Sequence, residues 1–286
     1  MRSLSVGVVG HVEWVQFGHV DHVPVAGEVV HAEDPFEEPA GGGAVAAVQL
    51  ARLAGSSVLF TALGPDGHGE RARKRLRELG VEVHAAEASE PTRRALTLID
   101  AAGERTITTL GERLEPHGES TGLDWAARLP SDGIYFTAGD GAALALARGS
   151  ARVLVASPRA RAALGQGVRL DALVLSGGDP IERAALARAQ AEADVVVVTE
   201  GARGGSYRTA AGVAGRWAAA TPVGPKMDAY GCGDSFAAGL TFGLAAELGL
   251  PAALALAARC GATCLTGRGP YSRQLSAREL DGGADV

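Results

Sequence analysis

Strand-like and helix-like patterns alternate along most of the chain, and this alternation restricts the possible folds more than any other feature. Short apolar runs at Ser5–Val9 and Val58–Leu63 predict strands, and the small-residue run Gly43–Ala54 between them predicts a helix. Because parallel neighbours need a crossover connection, this order predicts an α/β fold with a largely parallel sheet. Later strands are predicted at Gly133–Thr137, Arg152–Ala156, Ala172–Leu175 and Asp194–Thr199.

Three further helices complete the predicted core. The charged helix Gly67–Leu79 is followed by Gly80 at its C-cap, where glycine accepts a left-handed backbone. Two alanine-rich helices are predicted at about Gly233–Leu248 and Pro251–Thr266. A hairpin is predicted from Ser206–Thr209 and Val213–Ala218.

A small lid is predicted beside the main sheet. The polar, proline-containing segment 11–39 fits short strands outside that sheet, and residues 92–110 contain a hairpin that turns near Gly103. Together the two segments would supply the lid strands. We therefore expect residues 1–286 to form one domain that carries a lid.

Composition and charge argue against several classes of function. A net charge of −6 does not favour a nucleic-acid or anionic-membrane role. The first residues predict a buried strand instead of a secretory leader, and no run approaches the ~18 apolar residues of a membrane span. We expect a cytoplasmic protein without nucleic-acid or membrane partners. Three cysteines are too few for a disulfide framework and are expected as reduced thiols: Cys232, Cys260 and Cys264.

The segment from Asp228 to Leu240 is the most informative about chemistry. Gly231 and Gly233 let the backbone approach a ligand closely, and the helix that follows directs its free N–H groups to the same place. Those donors and the helix dipole suit a phosphate and favour an ionised Asp234. A carboxylate there can take the proton of an acceptor hydroxyl as a phosphoryl group arrives. A plain helix cap at Asp234 is the alternative interpretation.

Several motifs, in the same order, resemble the PfkB, or ribokinase-like, family of carbohydrate and nucleoside kinases. The run 228–234 looks like the family's Asp-Thr-x-Gly-Ala-Gly-Asp signature. The run 40–53 is similar to the glycine-rich, sugar-contacting turn and its helix. Weaker similarities to family motifs lie at 63–69, 79–81, 103–107 and 198–204.

The resemblance implies a ribokinase-like three-layer αβα sandwich with a small β lid, and ATP-dependent transfer of the γ-phosphoryl group to an alcohol. It implies Asp234 as catalytic base, with the amides of Gly231, Cys232 and Gly233 as the anion hole. ATP and Mg²⁺ are the implied cofactors, with a monovalent cation in some relatives. The implied partner is a sugar or nucleoside substrate, and a monomer and a homodimer formed through the lid both stay open.

Other candidate residues follow from their positions. Thr199, Gly201 and Gly204 follow an apolar strand, where α/β sheets bind ligands, so a nucleotide contact is predicted there. The resemblance adds Gly261 as a cofactor-binding candidate, because some relatives place the adenine or a monovalent cation at this part of the chain. Adjacent glycines open a helix at the proposed sugar site, where capping alone would require one. The predicted substrate-binding residues are Glu13, Gly41, Gly42, Gly43 and Arg105, with solvent-exposed roles open for Glu13 and Arg105.

The sequence departs from the family pattern at several positions. Val45 occupies the place of an asparagine that binds sugar hydroxyls, and Tyr230 replaces the signature threonine. The Asn-x-x-Glu element associated with magnesium appears as Ser176-Gly-Gly-Asp179, which leaves Asp179 as the metal candidate. These changes spare the predicted phosphoryl-transfer residues and remove the residues that would identify ribose.

Two alternatives to a sugar kinase remain. A dinucleotide-binding oxidoreductase would need its Gly-x-Gly-x-x-Gly at 231–236, where Phe236 takes the third glycine's place. A nucleotide- or sugar-binding sensor on a kinase fold fits the loss of the asparagine, whereas the intact run 231–234 fits a kinase. A P-loop kinase is disfavoured because the Gly-x-x-x-x-Gly-Lys-Ser/Thr motif does not occur.

Overall fold

The structure is a computed structural model that describes residues 4–281, without the side chains of 187–189 and 281. Its strands are β1 (Val6–Val9), β2 (Glu13–His19), β3 (Glu33–Ala40), β4 (Ser57–Leu63), β5 (Val81–Glu87), β6 (Arg94–Ile99), β7 (Arg105–Leu110), β8 (Gly133–Phe136), β9 (Val153–Ala156), β10 (Ala172–Ser176), β11 (Val195–Thr199), β12 (Gly205–Thr209) and β13 (Ala214–Trp217). Its α-helices are α1 (Gly42–Ala54), α2 (Gly67–Glu78), α3 (Trp125–Arg128), α4 (Gly141–Ser150), α5 (Pro180–Ala189), α6 (Cys232–Ala245), α7 (Leu250–Cys264) and α8 (Ala277–Asp281).

The large sheet has the strand order β13-β12-β11-β10-β9-β8-β1-β4-β5. All neighbours from β11 to β5 run parallel, and β12 and β13 form an antiparallel hairpin at one edge. Strands β1, β8 and β9 are buried along their whole length, as expected where both faces of a parallel sheet are covered. Helices α1, α6 and α7 share the apolar core of one face, and α4 packs on the other. The predicted three-layer α/β fold is confirmed.

The small sheet has the order β3-β2-β6-β7 and joins the segments that the sequence assigned to a lid. Its β6–β7 hairpin turns through Gly103, at φ 71°. That turn contacts residues 226–229. Ala229 N donates to Gly103 O at 3.2 Å, and Lys226 Nζ lies 2.6 Å from Glu104 Oε1. The second sheet therefore touches the segment just before α6.

Helix boundaries follow local chemistry. Asp66 caps α2 by accepting from Gly69 N at 2.8 Å, and Gly80 follows its end at φ 87°. Helix α6 ends at Ala245, three residues earlier than predicted, because Glu247 takes φ 60° and leaves the helical path. Within residues 4–281, no helix combines the length and the apolar character that a bilayer crossing requires.

The start of α1 lies directly against the end of β1. Gly43 N donates to His11 O at 3.1 Å, and a Cβ on Gly43 would stand 2.7 Å from both Gly10 C and His11 O. These neighbours are backbone atoms, which cannot rotate away. Only glycine therefore lets helix and strand approach this closely.

We predict that Gly43→Ala lowers the free energy of unfolding by about 1–3 kcal/mol, the usual cost of overpacking. Gly149→Ala is the matched control, because Gly149 lies in α4 and a Cβ there would meet open space. The control should be neutral or stabilise by about 0.5–1 kcal/mol through helix propensity. Urea unfolding of both variants measures the difference, and equal stability of the two would contradict the close contact.

Candidate active site

The first turn of α6 presents a cluster of unpaired backbone donors. Gly231 precedes the helix at φ 81°, a left-handed conformation that favours glycine. Within residues 4–281, the amides of Gly231, Cys232, Gly233 and Asp234 donate to no other backbone or side-chain group. These N–H groups lie at the positive end of the helix dipole and suit an anion.

The Asp234 carboxylate lies where two helix N-termini and a strand end meet. Its side chain is nearly buried, and a Cβ on Gly42 would stand 3.0 Å from Asp234 Oδ1 and 3.2 Å from Thr137 Oγ1. Gly41, at φ 88°, donates its amide to the Tyr230 hydroxyl at 3.2 Å. The glycine turn that opens α1 is therefore adjacent to the first turn of α6.

Asp228 fixes the backbone that leads into α6. Its Oδ1 accepts from Tyr230 N at 2.7 Å, and its Oδ2 accepts from Gly269 N at 3.0 Å. Burial raises the pKa of Asp228, and these hydrogen bonds and Arg105 on β7 oppose the rise. Arg105 also acts electrostatically on Tyr230 and Cys232, so the strand arginine of the small sheet lies near this segment.

Arg159, which follows β9, connects Asp234 to the neighbouring strand ends. Its Nη1 lies 3.1 Å from Asp234 Oδ1, and its Nε donates to Glu182 Oε1 at 2.8 Å. Glu182 Oε2 in turn accepts from Ser176 N, at the end of β10, at 2.7 Å. The Asp234 carboxylate, ahead of Glu182, raises the pKa of the guanidinium against the effect of burial, so Arg159 stays charged.

A second ion pair lies near Asp234, at the start of β2. Arg93 Nη1 is 3.2 Å from Glu13 Oε1, and His11 Nε2 is 3.6 Å from the same oxygen. Burial raises the pKa of Glu13, and Arg93 opposes the rise. Burial also holds the pKa of His11 well below its ordinary value, helped by nearby arginines, so its imidazole is neutral at pH 7.

A cavity of about 500 Å³ opens beside the C-terminal ends of β10 and β11. The predicted nucleotide residues Thr199 and Gly201 line it, together with Ser176. Ligands of α/β sheets bind beyond this edge of the sheet. The cavity is also lined by Gly177, Gly178, Arg183, Val198, Glu200 and Arg203.

Two other predicted nucleotide residues occupy tightly packed positions. Gly204 has φ 77°, and a Cβ there would stand 2.1 Å from Trp217 O. Gly261 lies within α7, where a Cβ would approach Cys232 O at 3.2 Å. Both glycines permit close backbone contacts outside the lining of the cavity, and their nucleotide contacts stay predictions.

Asp179, the metal candidate, caps α5. Its Oδ1 accepts from Ile181 N at 2.8 Å and from Glu182 N at 3.2 Å, while Oδ2 accepts no hydrogen bond from another described residue. The described part of the chain contains no group of three or more His, Cys, Asp or Glu side chains that could hold a metal ion. Asp179 Oδ2 is one carboxylate oxygen of the kind that Mg²⁺ takes when phosphate and water supply its other ligands, and the role of Asp179 as a metal ligand stays a prediction.

Comparison with known proteins identifies the family. The family model described as pfkB family carbohydrate kinase matches residues 4–121 and 171–277, most of the chain. The chain belongs to this family. The ribokinase of Dictyostelium discoideum is 28% identical over 109 residues, 37% of this chain, and the match spans about a third (34%) of that relative's length.

Solved structures agree with the pfkB-family fold. The crystal structure of a putative ribokinase from Agrobacterium tumefaciens is similar over 98% of this chain and 96% of its own, with a TM-score of 0.78 and 19% identity. The ribokinase of Cryptococcus neoformans var. grubii serotype A, solved in complex with ADP, is similar over 98% and 99%, with a TM-score of 0.75 and 21% identity.

The pfkB-family motifs did not reveal Arg159 or Glu182. Arg159 lies within 122–170, the stretch that the family model leaves unmatched, and pairs with a residue 75 positions away. Glu182 reads as an ordinary acidic residue in the first turn of a helix. The one available signal was the position of Arg159 just after the apolar strand 152–156, at the edge of the sheet where ligands bind.

We predict that His11→Gln reduces the loss of stability on acidification. The folded protein disfavours protonated His11, so the unfolded chain binds the proton more readily and wild-type stability falls as pH drops below 6.5. Between about pH 7.5 and pH 5.5 the variant should lose less unfolding free energy than wild type, by up to about 1.4 kcal/mol. Urea unfolding of both proteins at the two pH values measures this change in unfolding free energy.

The exposed His31 supplies the control for this measurement. The His31→Gln variant should keep most of the wild-type difference between the two pH values. If His11→Gln lost as much stability as wild type, burial of a neutral imidazole at this position would be contradicted.

Proposed function

We propose that this pfkB-family protein transfers the γ-phosphoryl group of ATP to an alcohol group of a sugar or nucleoside-like molecule. One observation carries the proposal: a nearly buried carboxylate, Asp234, lies in the same helical turn as the unpaired amides of Gly231, Cys232 and Gly233. A base for the acceptor and donors for the phosphoryl group are therefore adjacent. Family membership and the ADP-bound fungal ribokinase support nucleotide use.

The proposed reaction is an in-line displacement. The acceptor oxygen forms a bond to the γ-phosphorus as the bond from that phosphorus to the β–γ bridging oxygen breaks, and ADP leaves. Asp234 takes the proton of the acceptor hydroxyl. The amides of Gly231, Cys232 and Gly233 donate to the charge that grows on the phosphoryl oxygens.

The nucleotide belongs in the cavity at the ends of β10 and β11 under this proposal. Thr199 and Gly201 line that cavity, and the adjacent Ser176 amide is tied to Glu182. Gly204 and Gly261 would support the walls by close packing. A bound magnesium ion would neutralise phosphate charge, and Asp179 Oδ2, which accepts no hydrogen bond from another described residue, would be the oxygen that this chain offers it. A monovalent cation stays a prediction.

The acceptor belongs beside Asp234, at the turn Gly41–Gly43. Glu13, near Asp234, is a proposed hydrogen-bond acceptor for substrate hydroxyls, and Arg105 approaches from the small sheet. We propose that the small sheet is a lid over this site and that the described residues act as one catalytic unit. Monomer and lid-paired homodimer, and the cytoplasmic location, stay predictions.

A binding sensor without turnover is the second candidate function. Val45 packs against the signature, since a Cβ on Gly231 would meet Val45 Cγ1 at 2.9 Å, and offers no group to a sugar hydroxyl. A sensor would bind nucleotide or sugar but release no ADP. Measuring ADP release from MgATP across a panel of sugars and nucleosides separates the two functions.

We predict that Asp234→Asn lowers the turnover number by about two to four decades while leaving nucleotide affinity nearly unchanged, because the amide cannot accept the hydroxyl proton. Acceptor-dependent ADP release measures turnover, and calorimetric titration with MgADP measures binding. Unchanged turnover would remove Asp234 from the mechanism.

Asp171→Asn is the matched control. Asp171 also pairs with an arginine, Arg148, at 2.7 Å, but it precedes β10 at the opposite edge of the sheet. This variant should lose stability comparable to that of Asp234→Asn and keep its turnover. A loss of turnover in both variants would indicate that the fold is disturbed, and would contradict the role of Asp234 as the base.

A further inference from the structure

Arg159 stands between the base and the cavity at the strand ends. A continuous chain of contacts runs from Asp234 through the Arg159 guanidinium and the Glu182 carboxylate to Ser176 N, which belongs to the cavity lining. The phosphoryl group of the proposed reaction must cross from that cavity to the acceptor beside Asp234. The guanidinium therefore lies beside the path of that transfer.

The guanidinium also has donors to spare. Nε is used by Glu182 and one N–H of Nη1 by Asp234, whereas Nη2 donates to no residue within 4–281. Arginine carries five N–H groups, so three remain for a ligand. The side chain is 36% exposed, although its two carboxylate partners are nearly buried. Free donors on a charged group that is anchored at one end suit phosphoryl oxygens.

The acceptor's proton changes the charge balance around Arg159. Before transfer, the guanidinium faces two carboxylates, those of Asp234 and Glu182. When Asp234 takes the proton it becomes neutral, and one of the two attractions on the guanidinium is lost. The positive charge then becomes available to the phosphoryl oxygens at the moment when the bridging bond breaks.

We infer that Arg159 is a further catalytic residue, whose Nη groups contact the phosphoryl group in transit while Glu182 holds the guanidinium in place. The inference rests on the proposed function. The step itself is unchanged: the acceptor oxygen bonds to phosphorus, ADP leaves, and the proton stays on Asp234. Arg159 keeps its protons and supplies charge.

A transition-state mimic gives a test that does not depend on turnover. The affinity for MgADP is measured by calorimetry with and without aluminium fluoride, which occupies the place of the moving phosphoryl group. In wild type, aluminium fluoride should tighten the binding of MgADP. In Arg159→Ala this gain in MgADP affinity should be smaller by about 10²-fold or more, because one donor to the phosphoryl position is lost. Affinity for MgADP alone should stay unchanged.

Chemical rescue is the second readout. Arg159→Ala should lose about 10²–10³ in turnover, and added methylguanidinium should restore part of it, because the small cation can fill the vacated space. Asp234→Asn should not respond to methylguanidinium. Arg148→Ala, which also removes an arginine paired to an aspartate, should keep full turnover and the full aluminium fluoride gain.

The outcomes separate the inference from the proposed function. If wild type and Arg159→Ala gain equally from aluminium fluoride, or if only the acceptor KM rises, Arg159 is an ion-pair or acceptor-binding residue and the inference is overturned. If wild type itself gains nothing and releases no ADP with any acceptor, the proposed function fails and the inference fails with it. If Arg159→Ala does not fold, the same titration is made with Arg159→Lys. Aluminium fluoride should then raise MgADP affinity less in this variant than in wild type, and an equal increase would overturn the inference.

Discussion

The close approach of two helix N-termini is the constraint on which the site depends. Helices α1 and α6 both begin at the same place, and Gly42 lies so near Asp234 that a Cβ would stand 3.0 Å from its carboxylate. Gly43 lets α1 reach the end of β1, and Gly231 starts α6 with a left-handed residue. Small residues at these positions therefore concentrate unpaired amides around one carboxylate, which a larger side chain would push apart.

The fold was largely predictable because its signals are local. Alternating apolar strands and capped helices predicted the parallel sheet, and two polar segments predicted a separate small sheet that the structure contains. Strand Val81–Glu87 was not predicted although its first residues alternate apolar with polar side chains, as in a half-buried strand; the alternation ends at Ala85-Ala86. Helix Gly141–Ser150 was not predicted because it is a run of mostly small residues. Glycines 41–43 and Asp234 could be selected as site candidates because backbone conformation and helix position leave a local trace in the sequence.

The contacts around Asp234 were not predictable in the same way. The Arg159–Asp234 and Arg159–Glu182 pairs join residues 75 and 23 positions apart, and no spacing rule connects them. Their proximity follows from the order of the sheet, which places the ends of β9 and β10 side by side, and from the packing of α6 against β8 and β9. A sequence read without that order presents only an isolated arginine after a strand.

Tyr230 gives a physical meaning to a departure from the family signature. Its buried ring meets Phe17 of β2 edge-on at 5.0 Å, Phe17 stacks on Phe36 of β3 at 4.7 Å, and its hydroxyl accepts from Gly41 N. One side chain thus ties the small sheet, the glycine turn and the signature segment together. A threonine could not span these three elements, so the substitution exchanges a small hydroxyl for a contact between the small sheet and the site. Under the proposed function, a displacement of the small sheet would be transmitted through Tyr230 to the segment that leads into α6.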